Sequence, residues 1–422
     1  MRRLLLAAIA VLVLAPAAQA DPPRHDVRFA TFNASLNRGA AGQLVDHLSH
    51  PEVDDVYRRQ ARNVAEVIQR NHPDVVLINE FDYAPAAVDL FSDNFLEVSQ
   101  NGATPIHYPF AFIAPSNTGI PSGMDFSNDG TIGGPNDAFG FGFFPGQFGM
   151  VVYSKYPIRV DDVRTFQLFR WKDMPGALVP DDPRTAAPAD WYSPAELNIF
   201  RLSSKSHWDI PIDVPGRDIH FLVSHPTPPV FDDPPAFPAG VDFNGRRNHD
   251  EIRFWADYIS HGQRGRYIYD DQGERGGLHP GARFVIAGDQ NSDPLDGDSV
   301  PGSSQQLLEH KLVNASVTPE SAGGTEAALL QGGANLLHLG DPRYDTADFS
   351  DFAPGNLRAD YVLPSRSLSI NGSAIFWPLR ADPLFRLTGV FDGAQWGPVG
   401  GFPTSDHRLV WVDVTASRGN DD

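Results

Sequence analysis

The chain has 422 residues, no cysteine, and 33 Lys and Arg against 53 Asp and Glu, a formal net charge of −20. The lack of cysteine excludes disulfides, thiolate zinc sites and a thiol nucleophile. The acidic balance disfavours tight binding to a nucleic-acid backbone, which needs a basic surface, but leaves room for an enzyme that holds phosphate through a cation.

The opening "MRRLLLAAIAVLVLAPAAQA" carries Arg2 and Arg3, an apolar stretch from Leu4 to about Ala15, and the small-residue ending Ala18-Gln19-Ala20. This predicts a secretory signal over residues 1–20, cut before Asp21. The apolar stretch is shorter than the roughly 20 residues a spanning helix needs. No second one follows, so the mature chain is expected to be secreted or periplasmic, without an integral membrane segment. Losing Arg2 and Arg3 takes its charge from −20 to −22. No repeat or linker divides the remainder, which predicts one domain over 21–416 and a short polar tail over 417–422.

Strands and helices alternate along that domain. "VRFATFN" (Val27 to Asn33) reads as a strand, and Ala61, Val64, Val67 and Ile68 sit at helical spacing within Tyr57 to Arg70. "NHPDVVLINE" stops that helix and starts a strand over Val75 to Asn79. Further strands are read in Met150 to Ser154, in "DIHFLVSHPTPP" up to His225, in Phe284 to Ala287, in "RADYVLP" and in "HRLVWVDV". A helix near His249 puts Ile252, Trp255, Ala256 and Ile259 on one face. An α/β (α+β) sandwich with loops crowding one edge fits this order.

Several strands end alike. The ends carry Asn33, Glu80, His225, then Asp289 and Asn291, while Asp360 and the pair Asp406-His407 flank two more. One acid at a strand end is ordinarily a turn or a cap. Six such ends, all acid, amide or imidazole, point to a site, since α/β sheets present reactive groups at strand ends.

The ordered set "TFN", "INE", "SHPT", "GDQN", "ADYV", "SDH" resembles the endonuclease/exonuclease/phosphatase superfamily, from about Arg28 to Asp413. The resemblance implies a four-layer sandwich, two mixed sheets face to face with helices outside, and divalent-metal-dependent hydrolysis of a phosphoester. Mg²⁺ is the implied cofactor, with Mn²⁺ or Ca²⁺ as alternatives. It implies Glu80, Asn33 and Asp406 as the oxygen ligands a hard cation takes, and Asp289 as the group that accepts a proton from, or orients, the attacking water. Asn291 would bond that water or the phosphoryl oxygens. His407 would contact the phosphoryl group with its imidazole held by Asp360, and His225 would touch phosphate and donate a proton to the leaving group. Arg201 lies where nuclease members carry a phosphate-binding arginine, with Lys205 or His207 as substitutes. Gln290 departs from the apolar or aromatic residue usual there.

Other segments carry expectations of their own. Phe139, Phe141, Phe143, Phe144 and Phe148 alternate with glycines, and are expected to fold onto the sandwich edge rather than form an exposed rim. Asp125 to Asn136 partly imitates a calcium loop, with Asn136 in place of the bidentate Glu. His47 and His50 read as surface residues. The proline-rich run after His225 reads as a stiff wall of the site.

The expected function is a secreted phosphoester hydrolase of the phosphodiesterase or phosphatase type, acting on a small, lipid-linked or nucleic-acid phosphoester. An extracellular endonuclease is the alternative, and a non-catalytic binding protein on the same scaffold a more distant one. Neither a stable nucleic-acid complex nor a protein partner is expected.

Overall fold

The computed structural model describes residues 26–232, 241–260 and 262–416. The signal segment, the tail over 417–422 and part of the proline-rich run, 233–240, lie outside the described residues. Among the described residues eleven strands form two mixed sheets. They are β1 (Val27–Asn33), β2 (Val75–Asn79), β3 (Phe110–Phe112), β4 (Met150–Ser154), β5 (Arg164–Thr165), β6 (His207–Val214), β7 (Arg217–Ser224), β8 (Arg283–Asp289), β9 (Asp360–Pro364), β10 (Leu368–Ile375) and β11 (Val410–Ala416). The first sheet runs β10-β11-β1-β2-β4-β3 and the second β5-β6-β7-β8-β9. One pair in each sheet is parallel, β1 with β2 and β7 with β8.

Alternation along the strands makes the layers. Val27 and Phe29 of β1 point into the space between the sheets, where the Phe29 ring lies 5.3 Å from that of Phe221 on β7. Ala30 and Phe32 point the other way, onto Ala61, Val64 and Ile68 of the helix Val56–Asn71. The second sheet does the same: Val285 and Ala287 face inward, while Phe284 and Ile286 pack on Ile252, Trp255 and Ile259 from the helix Asn244–Tyr258 and its end. Helix, sheet, sheet and helix give the expected four layers.

This packing fixes the register. Each large apolar side chain contributes about 1.5–3 kcal/mol by leaving water, and a one-residue slip would turn every side chain of a strand to the wrong face. Asn33 is thereby held opposite Asn79 at the end of β1–β2, and Asp289 opposite Asp360 at the end of β8–β9.

Two strands that the sequence reading passed over carry misleading residues. Pro211 interrupts β6, yet the strand forms because it pairs along its whole length with β7, while its outer side meets only the two-residue β5 and the short 157–159 segment, where the Pro211 carbonyl accepts from the Arg159 amide. Asn371-Gly372 in β10 looks like a hairpin turn but is a bulge, with the register to β11 shifting between Ile370 and Gly372.

Candidate active site

Gly288 sets the floor. Its φ is 146°, and a Cβ there would lie 1.9 Å from the Ser224 carbonyl oxygen, so only glycine lets β8 run this close to the end of β7. The Asp289 carboxylate emerges immediately beyond. Its Oδ2 accepts from Asn33 Nδ2 at 3.1 Å and lies 3.3 Å from His225 Nε2 and 3.5 Å from His407 Nε2. Its Oδ1 accepts from the Asn291 amide at 2.9 Å, and the Asp289 amide donates to Asn79 Oδ1 at 3.3 Å. Asn33 and Asn79 belong to the first sheet and Asp289 to the second, so the cluster bridges the two.

His407 is held from behind. Its Nδ1 is 2.8 Å from Asp360 Oδ2, which also accepts from Thr346 Oγ1 at 2.8 Å. Burial alone would lower the imidazole pKa, but Asp360 and Asp289 on either side raise it well above its usual value. The two carboxylates therefore favour the charged form of His407. Burial drives Asp289 up, and the His407 and His225 rings together pull it well below the ordinary carboxylate range. Asp360 is raised, with burial outweighing its histidine. His225 is lowered to about 4, first by burial and then by Lys205, and stays neutral.

Glu80 follows β2 with a φ of 59°, in the left-handed region that non-glycine residues avoid. Asn291 shares this feature at 51°, and donates its side-chain amide to the Pro226 carbonyl at 3.1 Å. Backbone held this way aims side chains that a relaxed strand would turn elsewhere. Glu80 is half-buried and raised to about 7, by burial first and then by the nearby Asp406 carboxylate; Asn33 also bonds it. Asp406 accepts from its neighbour Ser405 Oγ at 3.3 Å.

The cation facing this cluster is Lys205. It is buried, which lowers its pKa, while Glu251, Glu80 and Asp289 act to raise it. Arg201 is held elsewhere: it donates to Asn117 Oδ1 at 2.6 Å and lies 4.0 Å over the Phe139 ring. Among the described residues no contact joins Arg201 to Glu80, Asp289 or the two histidines. His207 is a core residue, bonded to Ser203 Oγ at 2.6 Å and to the Glu251 carbonyl at 2.9 Å, and packed on Phe254 and Trp255. Eight expected residues thus converge, and Lys205 rather than Arg201 joins them.

The supporting residues Asn79, Thr346 and Lys205 had weak signals in the sequence. Asn79 and Thr346 are common in strands and loops, and nothing local marks Lys205 as buried. Gln290, the departure from the usual pattern, packs behind the site, with its side-chain amide on Ser224 Oγ at 3.2 Å and its carbonyl accepting from Asn248 at 2.9 Å.

The remaining expectations divide. Phe139 is buried in the core, but Phe141 and Phe143 stand exposed with ring centroids 5.5 Å apart. Their loop is pinned because Gly140 and Gly149 press on the Ser204 and Phe81 carbonyls, next to Lys205 and Glu80. In the calcium-like loop, Asp125 accepts from the Asp129 and Gly130 amides and Asp129 from Thr131, so these carboxylates order the loop itself. His47 corrects the surface reading. It is buried, accepts from Arg38 Nε at 3.0 Å and stacks on Tyr57 at 4.2 Å, whereas His50 is exposed beside Glu52.

A two-sheet sandwich with acid, amide and imidazole groups gathered at one edge is the arrangement of a metal-dependent phosphoesterase or nuclease fold. The chain belongs to the endonuclease/exonuclease/phosphatase family, whose model matches residues 30–407. Members are generally hydrolytic phosphoesterases that depend on a divalent metal. Among solved structures, the chain is similar to an endonuclease/exonuclease/phosphatase from Beutenbergia cavernae DSM 12333, at 16% identity over 93% of this chain and 72% of that one, with a TM-score of 0.46. It is also similar to the human Nocturnin catalytic domain with bound sulfate, at 14% identity over 93% and 95%, TM-score 0.43. A third is a Staphylococcus aureus beta toxin mutant with bound magnesium ions, at 12% identity over 93% and 100%, TM-score 0.41. No curated protein matches the chain. Among the described residues no helix is long and apolar enough to cross a membrane.

Proposed function

We propose that the chain is a secreted phosphoester hydrolase of the phosphodiesterase or phosphatase type, dependent on a divalent cation. The observation that carries this reading is the convergence on Asp289, where Asn33 and His407 from strand ends of the first sheet and His225 from the second all meet one carboxylate.

The donor set fits a hard cation. Glu80 and Asp406 repel one another in a half-buried position, and that repulsion is what a bound cation relieves. Glu80, Asp406 and Asn33 would hold it, Mg²⁺ in the first place and Mn²⁺ or Ca²⁺ as alternatives. Such an ion, when bound, neutralises phosphoryl oxygen charge and stabilises the departing oxyanion.

Asp289 fixes the attacking water for in-line approach to phosphorus. The water proton passes toward Asp289 as the bond to phosphorus forms. The His407 imidazolium, steadied by Asp360, faces the charge that grows on the phosphoryl oxygens. Burial favours the neutral form of His225, which serves as a hydrogen-bond partner to the phosphate. Asn291 and Lys205 supply further donors to the phosphate, and Lys205 takes the part first given to Arg201.

The test is direct. Purified protein should hydrolyse bis-p-nitrophenyl phosphate with Mg²⁺, lose activity in EDTA and regain it when cation is returned. No hydrolysis of this diester, of p-nitrophenyl phosphate or of plasmid DNA under any of the three cations would overturn the reading. Nicking of plasmid DNA alone, weakening steeply with salt, would favour the endonuclease alternative.

A further inference from the structure

A cavity of about 830 Å³ opens beside the site and shares Asp406 with it. Its size lies in the range of small-molecule pockets. One wall is Phe349, whose ring meets the His407 imidazole edge-on at 5.2 Å. Phe352 and Phe391, 83% and 69% exposed, form its lip, Leu330 at 61% extends it, and Trp377 and Phe402 line it with largely buried rings. The Phe391 and Phe402 rings are 5.9 Å apart. Large phenylalanines left in water around a cavity mark an apolar binding surface.

Several polar groups on the walls bond to protein neighbours. Gln331 donates to Asp348, Asp348 pairs with Arg408, and Glu326 accepts from the Arg380 amide. They are not arranged to read the edges of a base. The exposed leucines Leu329, Leu336, Leu337 and Leu339 continue the apolar surface along and beyond the helix Ala322–Gln331, more than a planar ring would use.

We propose that this cavity takes the alkyl chain of the substrate, so that the favoured phosphoester is an amphiphile with its phosphate against Glu80, Asp289 and His407. The assignment rests on the hydrolase reading and extends it to a substrate class. Continuity through Asp406 and Phe349 is what ties the cavity to the reacting group and sets it apart from a docking patch for another protein.

Binding tests it without turnover. Octylphosphonate and methylphosphonate, whose phosphorus–carbon bond resists hydrolysis, are titrated calorimetrically into the full protein with Mg²⁺, below micellar concentration. Each methylene withdrawn from water strengthens binding about fourfold when fully buried. Even partial burial of the chain should therefore make octylphosphonate at least about tenfold tighter. Phe391→Asn and Leu330→Asn alter exposed positions, so the fold is kept; both should collapse the ratio while leaving methylphosphonate binding unchanged. Equal or undetectable binding of the octyl compound overturns the proposal. So does a preference that survives both substitutions, or a dimer in sedimentation that they dissolve, which would give this face to a second copy of the chain. Failure of the hydrolase reading shows separately, as lack of bis-p-nitrophenyl phosphate turnover.

Discussion

Glu80→Gln is expected to stabilise the metal-free protein while silencing it. In the folded chain the Glu80 carboxyl is raised from 4.5 to about 7. The native state then holds this proton more tightly than the unfolded state does. Its contribution to stability is full below the unfolded value and is lost as pH rises through the folded one. At about 1.4 kcal/mol per pH unit the loss approaches about 3 kcal/mol, and partial exposure of Glu80 brings it nearer about 2. Gln keeps the shape and removes the charge, so this loss disappears. Urea melts in EDTA should show wild type and Glu80→Gln alike near about pH 4, with the variant ahead by about 2 kcal/mol near about pH 8. Added Mg²⁺ should reverse the order, because a ligand at 100 times its Kd adds about 2.7 kcal/mol to the protein that binds it. Parallel pH profiles, or equal Mg²⁺ stabilisation of both proteins, would refute the reasoning.

Asp289→Asn should lower turnover by about 10³-fold or more with an unchanged circular dichroism spectrum, since it removes the charge that orients water and faces both histidines; near-normal hydrolysis would remove the mechanism. Lys205→Met should raise KM more than Arg201→Met does, measured on the same diester, because only Lys205 faces the cluster. Gly288→Ala should cost about 2–4 kcal/mol in a denaturant melt, as its Cβ would collide with the Ser224 carbonyl; a loss under about 0.5 kcal/mol would show that β7 and β8 separate easily.

Much of this site was legible before any coordinates because its residues sit where apolar strands stop. Val75 to Asn79 and Phe284 to Ala287 announce themselves by composition, and Glu80 and Asp289 follow directly. What composition cannot convey is which ends meet. Asn33 and Asp289 lie 256 positions apart and touch only because two sheets pack with a fixed register. The strands β6 and β10 were hidden by Pro211 and Asn371-Gly372, residues whose local preference was overruled by the pairing of β6 with β7 and of β10 with β11. Lys205 and Arg201 show the same limit in charge. Four positions apart, one faces the carboxylates and the other an asparagine and a phenyl ring, a difference created by the fold around them.

β11 lies between β10 and β1, and β1 pairs in turn with β2. The residues that lead into β11, Asp406 and His407, therefore reach the cluster only after late and early parts of the chain have zipped together at mid-sheet. A ribosome-bound fragment lacking that stretch lacks Asp406 and His407. The complete cluster therefore forms only once the last strand is in place, a dependence written into strand order.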